Sequence, residues 1–220
     1  MLGAKRDADD LRQLADYDGL TGLPNRATFR RRLENALARS QRNGTSVAVI
    51  FFDLDGFKEI NDTLGHGFGD QILRLTGERL LQILRASDRP LLERSDWAAP
   101  WAGRFGGDEF SVTLPDLATP EAASAIAERV CGIFAQPFHL EGQELFVTAS
   151  LGLSVSPLDG VDADTLLKHA DAAMYAAKAV GLNNLSTYRP SMGLRASERL
   201  SLAGELRRAV GRSEDLLVHF

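Results

Sequence analysis

Apolar residues early in the chain recur every four positions, at Phe29, Leu33 and Leu37. This spacing is typical of one face of an α-helix. Asn25 precedes the run and is suited to cap the helix through its side-chain oxygen, and Asn43-Gly44 marks the predicted end. The pattern therefore predicts a helix that buries one side against a hydrophobic core.

The next segment, Val47 to Phe52, is apolar throughout and rich in β-branched and aromatic residues. A continuous run of this kind predicts a central strand that is buried on both faces. Asp53-Leu54-Asp55 follows, and alternation along the strand predicts that Asp53 and Asp55 project from the same face. Two such carboxylates can meet a hard cation, although acids at a strand end are more often simply solvated.

The rest of the pattern alternates between helical stripes and short β-rich runs. Helical stripes are formed by Ile72, Leu73, Thr76, Leu80, Ile83 and Leu84 up to Ser87, by Ala123, Ile126, Val130, Ile133 and Phe134 after Thr119-Pro120, and by Leu167, Ala170, Met174 and Ala177 between Asp164 and Gly181. Strands are predicted at Trp101 to Phe105, Phe110 to Leu114 and Leu145 to Val155, and a loop is predicted from Arg89 to Gly103. This order predicts an α/β fold with a mixed central sheet of about five strands flanked by helices.

A hairpin with an acidic tip is predicted in the middle of the chain. Gly106-Gly107 separates two β-rich runs, and Asp108 and Glu109 stand beside the turn. Because glycine has no side chain, a phosphate group can approach the backbone closely at such a turn. A plain exposed hairpin tip is the alternative interpretation of this feature alone.

Charge and hydropathy narrow the classes of partner. The chain has 220 residues and a formal net charge of −5, which argues against a nucleic-acid-binding surface but leaves a nucleotide ligand open. The longest apolar run, Val47 to Phe52, is far shorter than the roughly 20 residues that span a bilayer, so we expect no membrane segment within this sequence and a cytoplasmic location. A membrane anchor outside this stretch of chain is left open.

Four spaced motifs, taken together, resemble the GGDEF family of diguanylate cyclases. Gly106-Gly107-Asp108-Glu109-Phe110 has the form of the family's signature. The other three motifs are Asp18 to Arg26, then Asp53 to Asp62 continued by Gly65-His66 and Gly69-Asp70, and Ala170-Asp171 through Lys178. Several spaced motifs in the right order carry far more weight than one short match.

The resemblance implies a fold similar to the nucleotide cyclase and polymerase palm. It also implies an enzyme that joins two GTP molecules into cyclic di-GMP as a homodimer, with Mg²⁺ or alternatively Mn²⁺. On this basis Asp53 and Asp108 would hold the metal through their carboxylates, and Leu54 through its carbonyl. Glu109 would be a further catalytic acid that assists in activating the attacking hydroxyl.

The resemblance also implies which residues bind the substrate. Asn61 and Asp70 would recognise guanine, and Lys58 and Lys178 would contact phosphates, although a surface lysine by itself is more often solvated. The other implied substrate-binding residues are Phe57, His66, Gly106 and Gly107.

Two departures from the family pattern affect these expectations. Family members usually have an arginine four residues after the helix lysine, whereas this chain has Leu182, so catalysis is expected to be weaker. Arg85 and Asp88 match the family's product-inhibition site, but the connection from Asp88 to Gly106, which carries Trp97 and Trp101, is longer than usual. Two opposite charges at a helix end also need no ligand to explain them.

The resemblance divides the chain into three parts. Residues 1–15 would end an upstream signalling helix or linker, residues 16–188 would form the GGDEF domain, and residues 189–220 would be a linker and the truncated start of an EAL phosphodiesterase domain. Two alternatives to an active cyclase stay open: a GTP-binding module that regulates an attached EAL domain, and a purely dimerising spacer.

Overall fold

The structure, a computed structural model, describes residues 15–87 and 100–192, with only the backbone at 85–87. The chain divides into two compact units, residues 1–188 and 189–220, and the fold described below is that of the first. The predicted EAL start falls largely on residues outside the described ranges, and the predicted domain boundaries stay predictions. None of the helices in the described ranges has the length and apolarity that crossing a bilayer requires.

Helices and strands alternate along the first unit. The helices are α1 (Arg26–Asn43), α2 (Phe57–Leu64), α3 (His66–Ser87), α4 (Ala122–Gly132) and α5 (Ala163–Val180). The strands are β1 (Ser46–Leu54), β2 (Trp101–Gly106), β3 (Glu109–Leu117), β4 (Phe138–Leu140), β5 (Gln143–Leu145), β6 (Ala149–Ser156) and β7 (Leu185–Thr187).

Five strands form the central sheet in the order β2-β3-β1-β6-β7. Neighbouring strands are antiparallel except β6 and β7, which are parallel, so the sheet is mixed. The α/β fold with a mixed five-stranded sheet is therefore confirmed. β1 is the central strand, between β3 and β6, and helices cover both of its faces, which explains why its sequence is apolar on both.

The two faces of β1 belong to different layers of the core. Ala48, Ile50 and Phe52 pack in the cluster that contains α3 and α4, whereas Val47, Val49 and Phe51 pack in the cluster that contains α1 and α5. Because side chains alternate along a strand, Asp53 continues the second row and faces α5. This alternation decides which helix supplies the neighbours of the first acidic residue.

The capping signals at both ends of α1 act as predicted. The Asn25 side chain accepts a hydrogen bond from the N–H of Thr28 at 3.0 Å, and Gly44 takes a left-handed conformation with φ 69°. Phe29 is fully buried against the sheet, which stabilises the fold by about 2–3 kcal/mol. Local sequence and tertiary packing therefore favour the same helix.

Two predicted elements are corrected by the structure. The predicted strand from Leu145 to Val155 is divided, because β5 ends at Leu145 and β6 begins at Ala149. The left-handed turn at Glu141-Gly142, with φ 50° and 80°, folds β5 back onto β4 in a separate two-stranded sheet. The loop predicted up to Gly103 ends earlier, since β2 begins at Trp101, while α2, β4 and β7 were not predicted at all.

Candidate active site

The structure brings the two acidic stretches together at one edge of the sheet. Asp53 and Glu109 are direct cross-strand partners of β1 and β3. Antiparallel partners have Cα atoms about 4.5–5.5 Å apart. Asp108 stands next to Glu109 in the β2–β3 turn, and its negative charge contributes to the raised pKa of Asp53. Residues far apart in sequence therefore share one acidic surface.

The turn that carries Asp108 is fixed by glycine backbone conformations and by one arginine. Gly107 has φ 52°, a left-handed value that disfavours residues with a side chain. Arg104 donates to the carbonyl of Gly107 from Nε at 3.1 Å and from Nη2 at 2.7 Å. Its Nη1 donates to both carboxylate oxygens of Asp18 at 3.0 Å. The acidic turn is thus tied to the start of the domain.

Asp53 has one satisfied and one unsatisfied oxygen. Nζ of Lys178 donates to its Oδ2 at 2.5 Å. Oδ1 is buried and has no hydrogen-bond partner within the described part of the chain, although the side chain keeps 15% exposure. Buried polar atoms are normally paired, so an orphaned carboxylate oxygen beside other acids fits a site for a cation.

Electrostatics at this edge show an excess of negative charge. Burial raises the pKa of Asp53, and this outweighs the opposing effect of Lys178. Burial also raises the pKa of Glu109, with further contributions from Asp171 and Asp108. Burial on its own would lower the pKa of Lys178, but its hydrogen bond to Asp53 raises it. Each carboxylate is thus destabilised as an anion, a condition that a bound cation would relieve.

The protein oxygens available here suit a metal that is shared with a ligand. Among the described residues, no group of three or more His, Cys, Asp or Glu side chains is arranged to hold a metal ion. Asp53 and Asp108 offer carboxylates, and Leu54, whose side chain is 1% exposed, has only its carbonyl to offer. Mg²⁺ is typically bound by one or two carboxylates together with waters and substrate phosphates, so this donor set fits Mg²⁺.

Asp55 lies close to Asp53, on the same face as alternation predicted, and its charge contributes to the raised pKa of Asp53. Ser150, which donates to Asp55, is the cross-strand partner of Asp53 on β6. The Asp55 carboxylate accepts hydrogen bonds from the Thr148 and Ser150 hydroxyls at 2.8 and 2.7 Å and from the N–H of Asn183 at 3.1 Å. It therefore anchors β6 and the segment after α5 rather than a cation.

The implied guanine-binding residues lie where α2 meets α3. Asn61 is half-buried near the end of α2, and Asp70 is exposed in the first turns of α3. The Asn61 amide packs against Gly69, which directly precedes Asp70, so Asn61 lies beside the turn of α3 that carries Asp70.

The other implied substrate-binding residues differ in their exposure. Lys58 and His66 are exposed near the starts of α2 and α3, and Gly106 and Gly107 are exposed in the hairpin. The Phe57 ring is only 8% exposed and belongs to the core. A role for Phe57 in contacting substrate stays a prediction.

Sequence reasoning did not identify two charged residues beside Glu109. Asp171 contributes to the raised pKa of Glu109, and Arg26 has the opposite effect. Asp171 lies seven residues before Lys178, so the two share one side of α5, and this spacing was a usable signal. The Arg26 guanidinium lies 5.8 Å from the centre of the Phe105 ring. No local pattern marks Arg26 as a neighbour of the hairpin.

The structure describes the first departure from the family pattern, Leu182, but only part of the second, the Arg85 and Asp88 pair. Leu182 is 68% exposed in the segment after α5. Arg85 lies in α3, but its side chain is not described, and Asp88 and Trp97 lie outside the described residues. The product-inhibition site therefore stays a prediction. Trp101 packs its ring 6.3 Å from that of Phe29 in the core.

Comparison with protein families matches this arrangement. The family model described as diguanylate cyclase, GGDEF domain, matches residues 15–184. The chain belongs to the GGDEF family. The match includes both acidic stretches, the α2–α3 junction and α5, and it ends just before β7.

Curated relatives of this GGDEF domain are longer proteins. The chain is 40% identical over 210 residues to the cyclic di-GMP phosphodiesterase NbdA of Pseudomonas aeruginosa, covering 96% of this chain and 25% of NbdA. It is 38% identical over 211 residues to the bifunctional diguanylate cyclase/cyclic di-GMP phosphodiesterase MucR of the same species, covering 96% of this chain and 29% of MucR. The chain thus spans about a quarter of the length of these relatives.

A solved structure has the same fold. The GGDEF domain of TpbB, also called YfiN, from Pseudomonas aeruginosa superposes with a TM-score of 0.74 at 34% identity. The match covers 82% of this chain and 99% of that one.

Proposed function

We propose that this GGDEF domain is a diguanylate cyclase that condenses two GTP molecules into cyclic di-GMP with release of two pyrophosphates. The observation that carries the proposal is that Asp53 lies beside Asp108 and Glu109 although the two stretches are far apart in sequence. In the described residues, Oδ1 of Asp53 is buried without a hydrogen-bond partner. The bifunctional cyclase/phosphodiesterase MucR, similar over nearly the whole chain, supports the same activity.

In this proposal Asp53, Asp108 and the Leu54 carbonyl hold Mg²⁺, or alternatively Mn²⁺, together with the triphosphate. The ion would lower the pKa of the attacking 3′-hydroxyl and offset charge on the pyrophosphate. The side chain of Lys178 is 35% exposed, so its ammonium can turn from Asp53 towards a phosphate oxygen when nucleotide binds. Lys58, exposed on α2, supplies a second cation for the phosphates.

Base selection is assigned to the α2–α3 junction. The Asn61 amide donates to guanine O6, and the Asp70 carboxylate accepts from N1–H and the 2-amino group. Adenine presents a donor where guanine has O6, so ATP would leave buried polar groups unpaired and bind poorly.

The bond-forming step needs two copies of the domain. The O3′ of one GTP attacks the α-phosphorus of the other, the bond to the bridging oxygen breaks, and pyrophosphate leaves. Glu109 accepts the hydroxyl proton, a role that suits a carboxylate whose pKa is raised by burial and by neighbouring Asp171 and Asp108. A two-fold homodimer gives both attacks equivalent geometry, so activity depends on dimer population.

A product assay tests the proposal. Incubation of the chain with GTP and Mg²⁺ is expected to yield cyclic di-GMP, with a specific activity that rises with protein concentration and with fusion to a dimerising coiled coil. The Asp108→Asn variant is the matched control and is expected to form no product. Bound GTP without product in the forced dimer would contradict a cyclase.

A second function is favoured by the exposed Leu182 at the position of the family's arginine. In this alternative the domain binds GTP without turnover and regulates an attached EAL phosphodiesterase domain. NbdA, a phosphodiesterase with 40% identity, is consistent with such an arrangement. GTP binding without product in the assay above would favour this alternative.

A further inference from the structure

Gly69 occupies a crowded point between α2 and α3. It is buried near the start of α3, one residue before Asp70. A Cβ at this position would overlap Oδ1 of Asn61 and would lie 3.1 Å from Cζ of Phe57. Both side chains come from α2, so this helix meets α3 at a residue that has no side chain.

The contact places the Asn61 amide against α3. The backbone carbonyl of Asn61 accepts a hydrogen bond from the N–H of Gly65 at 2.9 Å. This bond closes the last turn of α2. With Oδ1 against Gly69, the amino group Nδ2 is the free end of the amide. No hydrogen bond within residues 15–87 and 100–192 engages the Asn61 side chain, so Nδ2 is available to a ligand.

We propose that Gly69 is a positioning residue for guanine selection. The space at Gly69 lets Asn61 lie against α3 with Nδ2 directed at guanine O6, beside the Asp70 carboxylate that binds the opposite side of the same base edge. This inference rests on the proposed function, in which Asn61 and Asp70 bind guanine. A side chain at position 69 displaces Asn61 and removes the O6 contact while Asp70 keeps its own.

The chain provides a matched control in the same helix turn. Gly67 also lies in α3, but a Cβ there would meet no atom within 4 Å. Replacing glycine by alanine raises the helix propensity at either position. Gly67→Ala therefore has this effect on helix stability without a steric clash against α2.

Nucleotide analogues separate the two base contacts. In 6-thio-GTP a weakly accepting sulfur replaces O6, whereas ITP keeps O6 and lacks the 2-amino group. We expect the wild-type chain with Mg²⁺ to prefer GTP over 6-thio-GTP by about fivefold in Kd, as for one hydrogen bond. In Gly69→Ala this preference is lost and GTP binds about tenfold more weakly, while the preference for GTP over ITP is unchanged. Gly67→Ala behaves as wild type throughout.

A double-mutant cycle tests whether Gly69 acts through Asn61. Asn61→Ala is expected to weaken GTP binding, and adding Gly69→Ala to it is expected to cost nothing further. An equal additional loss in the Asn61→Ala background, or an unchanged GTP preference over 6-thio-GTP in Gly69→Ala, would overturn the inference. If Asn61→Ala binds GTP like wild type, the assignment of Asn61 to guanine is wrong, and the positioning role of Gly69 is wrong as well.

Folding of the variant is checked separately. Because Phe57 also approaches Gly69, a Gly69→Ala chain that does not fold is replaced by Gly69→Ala with Phe57→Leu, which makes room for the new methyl on the ring side. Loss of the preference over 6-thio-GTP is expected in this double variant relative to Phe57→Leu alone, which carries any effect of the ring itself on binding. Retention of the preference would contradict the proposal.

Discussion

Arg104 and Asp18 form an ion pair in which Nη1 donates to both carboxylate oxygens at 3.0 Å. The Arg104 side chain is only 11% exposed, and its remaining donors bind the carbonyl of Gly107. One side chain therefore holds the first turn of the domain to the turn that presents Asp108. A substitution that breaks this ion pair is therefore expected to shift Asp108, because Arg104 also holds the backbone of the two-glycine turn that carries it.

Arg104→Ala is expected to lower the free energy of unfolding by about 2–3 kcal/mol, because Asp18 and the Gly107 carbonyl lose their partner in a largely desolvated place. Urea denaturation measures the loss. Arg31→Ala is the control, since the Arg31 pair with Asp16 is 59% and 37% exposed and should contribute under about 1 kcal/mol. Equal losses in the two variants would contradict a structural role for the Arg104 pair.

The stability contributed by Asp18 depends on pH. Burial on its own would raise the pKa of Asp18, but hydrogen bonds from Thr21 and Arg104 outweigh it and lower the pKa. The contribution is therefore fully present above the unfolded-state pKa and is lost as pH falls through the folded-state pKa. We expect Asp18→Asn to be less stable than wild type at neutral pH, with a difference that shrinks steadily in acid. A difference independent of pH would contradict this.

Leu182→Arg is expected to increase cyclase activity. The Leu182 side chain is 68% exposed, so arginine fits without repacking, and it restores the cation that family members usually place there. A charge-assisted contact to phosphate should lower the KM for GTP by about threefold to tenfold. Val180→Arg adds the same charge at a position that is 83% exposed and should leave KM unchanged. Equal effects would indicate a general charge effect instead.

Asp55→Ala is expected to reduce stability by about 2–4 kcal/mol, because Thr148, Ser150 and the Asn183 N–H lose their common acceptor. Asp62→Ala, at an exposed position of α2, is the control and should change stability by less than about 0.5 kcal/mol. Thermal or urea unfolding of both variants provides the comparison. If Asp55→Ala were as mild as its control, the carboxylate would not anchor these segments.

Local signals explain why much of the fold was predictable. α1 begins after Asn25 and ends before Gly44 because a side-chain cap and a left-handed glycine act within a few residues of the helix ends. The apolar run that became β1 was equally clear, since a strand buried on both faces leaves no polar position.

Predictions failed where a partner distant in sequence decides the outcome. The pattern after Asp53 does not reveal that Asp55 is held by hydroxyls 93 and 95 residues away. The same contacts fix the chain at Thr148, just before β6, where a single long strand was predicted. The proximity of Arg104 to Asp18 likewise depends on tertiary packing across 86 residues.

Magnesium-dependent GTP affinity is the most direct test of the proposed sharing of a cation between Asp53, Asp108 and the triphosphate. Calorimetric titration with GTP is expected to give a Kd at least about tenfold lower with Mg²⁺ than with EDTA in the wild-type chain. This gain should be absent in Asp53→Asn and retained in Asp62→Asn. Wild-type GTP affinity that does not respond to Mg²⁺ or Mn²⁺ would contradict a metal and nucleotide site at this edge of the sheet.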